Sequence, residues 1–234
     1  MSDKLPEPIL HQPRIAAFFD VDGTLLTSNI VEYLAFFQKR LLSPWRWRWW
    51  IAGVAAKVPV YLALDHLSRT AFCRFFYRGY GGLEAATTTA LGRCLFEEVI
   101  RPRLHSQALR QIDSHREQGH IIVLLTGSLD FIMQPLAEFI ASPHLIAAKL
   151  EEHDGQFTGQ LLEAPLSESG KAEAIFRFAR AQSIDYRRSF AYGDSISDLH
   201  MLECVGNPGA VNPDRRLRAL ARQRGWRIYD WAKE

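Results

Sequence analysis

In "FFDVDGTLLT", residues 18–27, an apolar run leads into two aspartates one residue apart, Asp20 and Asp22, followed at once by Gly23 and Thr24. Two carboxylates so placed can serve as a nucleophile, an acid–base pair or metal ligands. The plain alternative is a strand that ends at Asp20 and a polar turn after it. A second pair, Asp194 and Asp198, stands far downstream in "GDSISD", residues 193–198. Bringing such carboxylates together costs on the order of several kcal/mol unless a cation sits among them. An oxygen-only donor set without nearby His or Cys calls for a hard ion, and Mg²⁺ is the natural choice. "LLTGS" sets Thr126, Gly127 and Ser128 after a strongly apolar run, where a hydroxyl and backbone amides can bind phosphate oxygens. Lys171, in "SESGKAEAIF", falls near the start of a helical pattern, where the helix dipole mildly disfavours a cation. It is either a solvated lysine or the counter-charge of an acidic, phosphate-binding pocket.

The elements that must position these residues are short apolar runs, each stopping at a polar residue. "RIAAFFD" (14–20), "HIIVLLT" (120–126) and "SFAYGD" (189–194) read as buried strands, with "GAV" before Asn212 and "WRIYD" (226–230) as further ones. Helical patterns cover about 103–118, 129–140, 169–182, 196–204 and 214–224. Such alternation predicts a parallel sheet covered on both faces, an α/β three-layer architecture. Ligands on these sheets bind at the carboxyl ends of the strands, where Asp20, Thr126 and Asp194 would gather. Two insertions interrupt the alternation. Residues 28–100 are helix-rich, with "NIVEYLAFFQKRLL" and "LEAATTTALGRCLFEEV" as the clearer helices, and read as a cap; "KLEEHDGQFTGQL" (149–161) reads as a hairpin turning at Asp154-Gly155.

Composition narrows the class. At 234 residues, with 47% hydrophobic and 23% charged content, the chain is long enough for one large core, or one core with a smaller appended domain. The formal charge of +2 is too small to point to nucleic acid. It is unevenly spread: residues 40–80 hold seven Lys/Arg against the single acid Asp65. Cys73, Cys94 and Cys204 form neither a disulfide framework nor a zinc pattern, which suits a reducing cytoplasm. "MSDKLPEPILHQPR" has no apolar h-region, so no signal peptide is expected. The longest apolar run, residues 51–64, is too short to span a bilayer and carries Lys57 and Pro59.

"DVDGT", a strand ending in "TGS", the helix-borne Lys171 and "GDSISD" occur in the order of the four motifs of the haloacid dehalogenase superfamily, and the chain resembles that superfamily from about residue 14 to 232. Residues 191–226 are similar to the subfamily IB hydrolases, relatives of phosphoserine phosphatase. The resemblance implies a Rossmann-like core of residues 14–27 and 101–232, with a helical C1 cap, residues 28–100, inserted after the first strand. It also implies a Mg²⁺-dependent phosphomonoesterase acting on a phosphorylated small molecule. Asp20 would be the nucleophile that becomes an aspartyl-phosphate, and Asp22 the general acid and base. Asp20, the Asp22 carbonyl and Asp194 would hold the metal, with Asp198 a ligand or its partner; Thr126, Gly127 and Lys171 would hold phosphoryl oxygens. A phosphotransferase using an acceptor alcohol, and a membrane-surface phosphatase acting on lipid phosphates, are the alternatives.

Two further features bear on specificity and partners. Phosphoserine phosphatases typically hold the substrate ammonium with a glutamate shortly after the nucleophile; nine residues on from Asp20 stands the neutral Asn29, with Glu32 three residues later. L-Phosphoserine is therefore expected to be a poor substrate. "SPWRWRWW", residues 43–50, interleaves Arg46 and Arg48 with tryptophans. Either these rings pack within the cap or line its substrate groove, or residues 43–64 make peripheral contact with an anionic membrane. No nucleic-acid partner is expected; the location is cytoplasmic, with membrane-peripheral attachment as the open alternative.

Overall fold

The computed structural model describes residues 13–27, 30–67, 69–164, 166 and 169–232. The first strand, β1 (Ala16–Asp20), is buried along its whole length. Such a run has no solvent face to fill with polar residues, so it can only lie inside a sheet covered on both sides. Its neighbours are β2 (Ile121–Leu129) on one side and β6 (Phe190–Gly193) on the other, both parallel to it. With β3 (His144–Ala148), β7 (Asn207–Val211) and β8 (Arg227–Tyr229) they form a six-stranded sheet in the order β3-β2-β1-β6-β7-β8. The strand order reverses at β1, which opens a crevice at the carboxyl end of the sheet.

Period-two alternation along β1 divides the core. Ala16 and Phe18 join an apolar cluster with Val123, Leu125 and Ala191, which α7 (Ser169–Gln182), α8 (Leu199–Glu203) and α9 (Arg215–Arg224) cover through Ile175, Leu202 and Leu217. Ala17 and Phe19 join the opposite cluster with Leu124 and Tyr192, covered by α5 (Ser106–Glu117) and α6 (Asp130–Phe139) through Ile112 and Ile132. The architecture is therefore the three-layer α/β fold expected.

Between β1 and α5 the chain is helical: α1 (Ile30–Leu41), α2 (Pro44–Leu67), α3 (Arg69–Tyr77) and α4 (Ala85–Leu95), followed by one π-turn and one 3-10 turn. Tyr33, Phe37, Phe76 and Leu95 of this cap belong to the same apolar cluster as Phe19, so its packing is continuous with one face of the sheet. The hairpin of β4 (Leu150–His153) and β5 (Gln156–Leu161) turns at Asp154 and Gly155, whose positive φ of 51° and 75° matches the twist of the flanking strands. It fastens to the cap through backbone bonds from Phe157 to Leu83 and from Ala85 to Gly155.

Two elements differ from the sequence expectation, and one helix of the cap runs further than its composition suggests. β3 was not anticipated because His144–Ala148 is an only partly buried edge strand without a long apolar run. β2 continues through Gly127 and Ser128 to Leu129, with an irregularity in its pairing to β3, rather than stopping at Thr126. Residues 44–67 form one helix that continues through Pro59. No helix among the described residues is long and apolar enough to cross a membrane.

The seat of the cap on the core includes Gly92 of α4, where an added Cβ would come within 2.6 Å of the Phe131 carbonyl oxygen of α6. Helix propensity alone would make Gly92→Ala stabilising by about 1 kcal/mol. The backbone contact reverses the sign, because overpacking against a fixed carbonyl costs about 1–3 kcal/mol. Thermal unfolding of Gly92→Ala is expected to show a Tm several degrees below that of the parent chain; an increase would mean that α4 moves away from α6 without cost.

Candidate active site

The parallel register carries the chemistry-bearing residues to one edge. Asp20 ends β1 opposite Leu125, which places Thr126 one residue further along the neighbouring strand. Phe19 pairs with Tyr192, so β6 delivers Gly193 and then Asp194 beside Asp20. Residues more than a hundred positions apart thereby share one crevice. Gly23, with φ +94°, makes the approach possible: a Cβ there would lie 2.4 Å from Asp194 Oδ2.

Lys171 enters from the third residue of α7 and is buried. Its Nζ donates to Asp20 Oδ1 at 2.5 Å and to Asp198 Oδ1 at 2.6 Å. These two charge-assisted bonds override the unfavourable helix dipole, an effect of about 0.3–1 kcal/mol. The carboxylates of Asp198 and Asp20 also overcome the effect of burial, which alone would lower the lysine pKa, and hold it above its ordinary value. Lys171 is thus a fixed cation.

The acidic side remains in excess. Asp20, Asp194 and Asp198 each bring a carboxylate oxygen within 4.8 Å of the others. At that separation and an effective dielectric constant near 20, each like-charge pair repels by about 3–4 kcal/mol. Three carboxylates against the one ammonium leave a formal charge of −2, which a divalent cation would cancel. Burial, then the Asp198 carboxylate, push Asp194 up to about 7. Burial does the same to Asp20, whose pKa lies well above the ordinary carboxylate range despite Lys171. An all-oxygen cluster held in this state fits a hard divalent ion.

Asp22 forms an adjoining arrangement. Thr126 Oγ1 and Ser128 Oγ both donate to Asp22 Oδ2 at 2.7 Å, and the Ser128 amide donates to Thr126 Oγ1 at 2.9 Å. The amide occupies an acceptor site on the threonine, so the threonine proton points to Asp22. Above them, Tyr77 Oη of α3 donates to the Gly127 carbonyl at 2.6 Å, tying the cap to the site. Asn29 lies outside the described residues. Glu32 is engaged elsewhere: Arg103 donates to both its oxygens, at 2.5 and 2.7 Å, on the half-exposed edge of the cap. That hydrogen-bonded pairing with Arg103 lowers the glutamate's pKa.

Sequence reasoning assigned no role to three contributors. Thr24 is fully buried, and its hydroxyl has Asp20 Oδ2 at 3.0 Å and Asp194 Oδ1 at 3.3 Å as acceptors. Asp214 caps α9 through the Leu217 amide while its other oxygen accepts from Ile196, and its amide donates to the Asp194 carbonyl. It thereby braces the loop from Asp194 to Asp198. The Asp before "RRLRAL" is a legible helix cap, but its hold on a loop some 18 residues earlier is a tertiary contact. Ser128 stood in the quoted motif, yet its aim at Asp22 depends on β2 continuing past Thr126.

A three-layer parallel sheet with an acidic, lysine-braced crevice beneath a helical cap defines a hydrolase site of the phosphate-handling kind. Residues 17–203 match the haloacid dehalogenase-like hydrolase family, and the chain belongs to it; it is an enzyme of the phosphatase class. It is 33% identical over 227 residues to an inhibition of morphological differentiation protein of Streptomyces azureus, covering 94% of this chain and 79% of that one. It is 31% identical over 217 residues to phosphoserine phosphatase SerB1 of Mycobacterium tuberculosis, covering 92% and 70%. Among solved structures it resembles a protein of unknown function from Bordetella pertussis Tohama I, with a TM-score of 0.80, 27% identity and coverage of 94% of this chain and 100% of that one.

A native carboxyl group whose pKa exceeds its unfolded value stabilises the fold below the unfolded pKa, and that stability is lost as pH rises through the native pKa. For Asp194 the window runs from about 4 to about 7. In EDTA, the Tm is therefore expected to fall between about pH 5 and about pH 8 more steeply than in Asp194→Asn. Added Mg²⁺ should raise the Tm more at the higher pH. Parallel curves for the two proteins would exclude a native proton on this carboxylate.

Proposed function

We propose that the protein is a Mg²⁺-dependent phosphomonoesterase that works through an aspartyl-phosphate on Asp20. The observation that carries this reading is the buried Asp20 at the end of β1, bonded to Lys171, within the cluster of Asp194 and Asp198, and followed two residues later by Asp22. Asp20, the Asp22 carbonyl and Asp194 would hold the ion, which when bound supplies positive charge to the nucleophile and to the phosphoryl group. Asp198 spends Oδ1 on Lys171 and Oδ2 on the amides of Asp194 and Ser195, so its main work is to position the lysine and the loop.

In the first half-reaction an Asp20 oxygen attacks phosphorus in line while the bond to the leaving alcohol breaks. Asp22 gives its proton to the departing oxygen. In the second, the same carboxylate takes a proton from water, whose oxygen attacks phosphorus and frees Asp20 with inorganic phosphate as product. Gly127 and Lys171 are assigned to phosphoryl oxygens, and Thr126 joins them when its hydroxyl proton turns from Asp22; Lys171 offsets charge at both stages without giving up its proton.

Asp20→Asn is expected to abolish hydrolysis of a chromogenic phosphate ester with the fold retained, since an amide cannot form the acyl phosphate. Asp22→Asn should lose roughly a hundredfold or more through missing acid–base catalysis. EDTA should stop turnover and Mg²⁺ restore it. Full activity of Asp20→Asn, or of the chelated enzyme, would overturn the mechanism; transfer of phosphate to added alcohols in preference to water would make it a phosphotransferase.

The leaving group is the part that the cap selects. L-Phosphoserine should be a poor substrate because the expected glutamate position is the neutral Asn29, and the nearby Glu32 is held by Arg103. An unmet ammonium in a partly desolvated pocket costs about 1–3 kcal/mol, or roughly ten- to hundredfold in kcat/KM. Kinetics across a panel of phosphate monoesters checks this: phosphoserine as the best substrate would refute it, and Asn29→Glu should improve phosphoserine relative to the rest.

A further inference from the structure

Helix α2 departs from the rule that a helix apolar all round is buried. It runs for 24 residues, about 36 Å. Its inner side packs on the cap: Trp50, Tyr61 and Leu64 lie against the main apolar cluster, and Trp47 stacks on Trp50 with ring centres 5.1 Å apart. Its outer side is apolar as well. Trp45, Trp49, Ala52, Ala56 and Val60 recur every three or four residues and are all exposed, Trp45 at 66% and Trp49 at 64%. Of the eight large hydrophobic side chains exposed among the described residues, five (Trp45, Trp49, Ile51, Val58 and Val60) belong to this helix. At 3.6 residues per turn, Arg48 flanks one edge of the stripe, and Arg46 and Lys57 the other. Residues 43–64 contain no Asp or Glu.

We infer that this face docks on the surface of a bilayer containing anionic phospholipid. The stripe would sink into the acyl boundary, with the cations at the headgroups on either side. An apolar band edged by basic residues, with tryptophans at one end, is the pattern of a helix that lies in the interface rather than across it. The charge distribution disfavours a second copy as the occupant. A two-fold interface brings the same patch onto itself, so Arg46, Arg48 and Lys57 would meet a surface that carries only further cations, with no acid in residues 43–64 to pair them. Nucleic acid fits no better, because Ala52, Ala56 and Val60 offer nothing to a phosphate–sugar backbone. The docking face is separate from the phosphatase chemistry, since none of its residues contributes to the carboxylate site.

The 234-residue protein should co-sediment with vesicles of phosphatidylcholine containing phosphatidylglycerol, stay in the supernatant with phosphatidylcholine alone, and be released as salt rises. Arg46→Ala and Arg48→Ala should each weaken binding roughly fivefold. Trp45→Ala with Trp49→Ala should weaken it roughly tenfold or more while leaving kcat/KM on a soluble ester and the circular dichroism unchanged. Trp47 is the wrong ring to remove, because it stacks on Trp50, which packs against the cap's apolar cluster. Absence of binding, equal recovery with neutral and anionic vesicles, or binding indifferent to the Trp45 and Trp49 changes would each overturn the proposal. So would a dimer in light scattering that those two changes convert to monomer without any vesicle binding.

Discussion

The ammonium of Lys171, closed in among three carboxylates, is the interaction on which the rest of the site depends. Without it Asp20, Asp194 and Asp198 could not be packed this closely in a buried crevice, because each pair repels and burial further penalises the charged forms of Asp20 and Asp194. Lys171 ties two of the three directly, at 2.5 and 2.6 Å, and so links the end of β1 to the loop after β6 through a side chain carried by α7. Its charge falls short of theirs, and that shortfall leaves an all-oxygen cluster that could hold a divalent ion.

Around this centre, small residues and hydrogen bonds set distances that the charges alone would not choose. The missing side chain at Gly23 admits Asp194, and that at Gly193 admits Asp198, whose Cβ lies 2.7 Å from where a Cβ on the glycine would stand. Thr24 links the Asp20 and Asp194 carboxylates, and Asp214 braces the loop that runs from Asp194 to Asp198. The cap reaches the same point from above through Tyr77 and Gly127. The hairpin after β3 supports the cap through backbone pairing at Leu83 and Ala85 and by stacking Phe157 on Phe131. The helices between β1 and α5 thus lie over the edge of the sheet where Asp20, Asp22, Thr126 and Asp194 gather.

Much of this was legible in the residues. The apolar runs before Asp20, Thr126 and Asp194 marked the central strands, since a fully buried strand needs apolar side chains on both faces, although β2 runs on past Thr126 to Leu129. The order of those strands and of "SGKAEAIF" was enough to expect a common edge, and Asp154-Gly155 announced its turn by the backbone angles it permits. Weak signals failed where the element is half-solvated or depends on partners. β3 is a short edge strand, and α2 has apolar residues on both faces, so no single periodicity stands out.

What the sequence by itself determined was the inventory: four aspartates, a threonine, a lysine and the strands that would bring them to one side. Residue type and period suffice for that, because burial and turn formation are local demands on the chain. Only the tertiary structure decided the pairings. Lys171 chose Asp20 and Asp198, Thr126 and Ser128 turned to Asp22, and Glu32 went to Arg103. Charge and hydrogen-bonding partners are selected by distances of a few ångströms between segments remote in sequence, and the packing of the whole sheet and cap sets those distances.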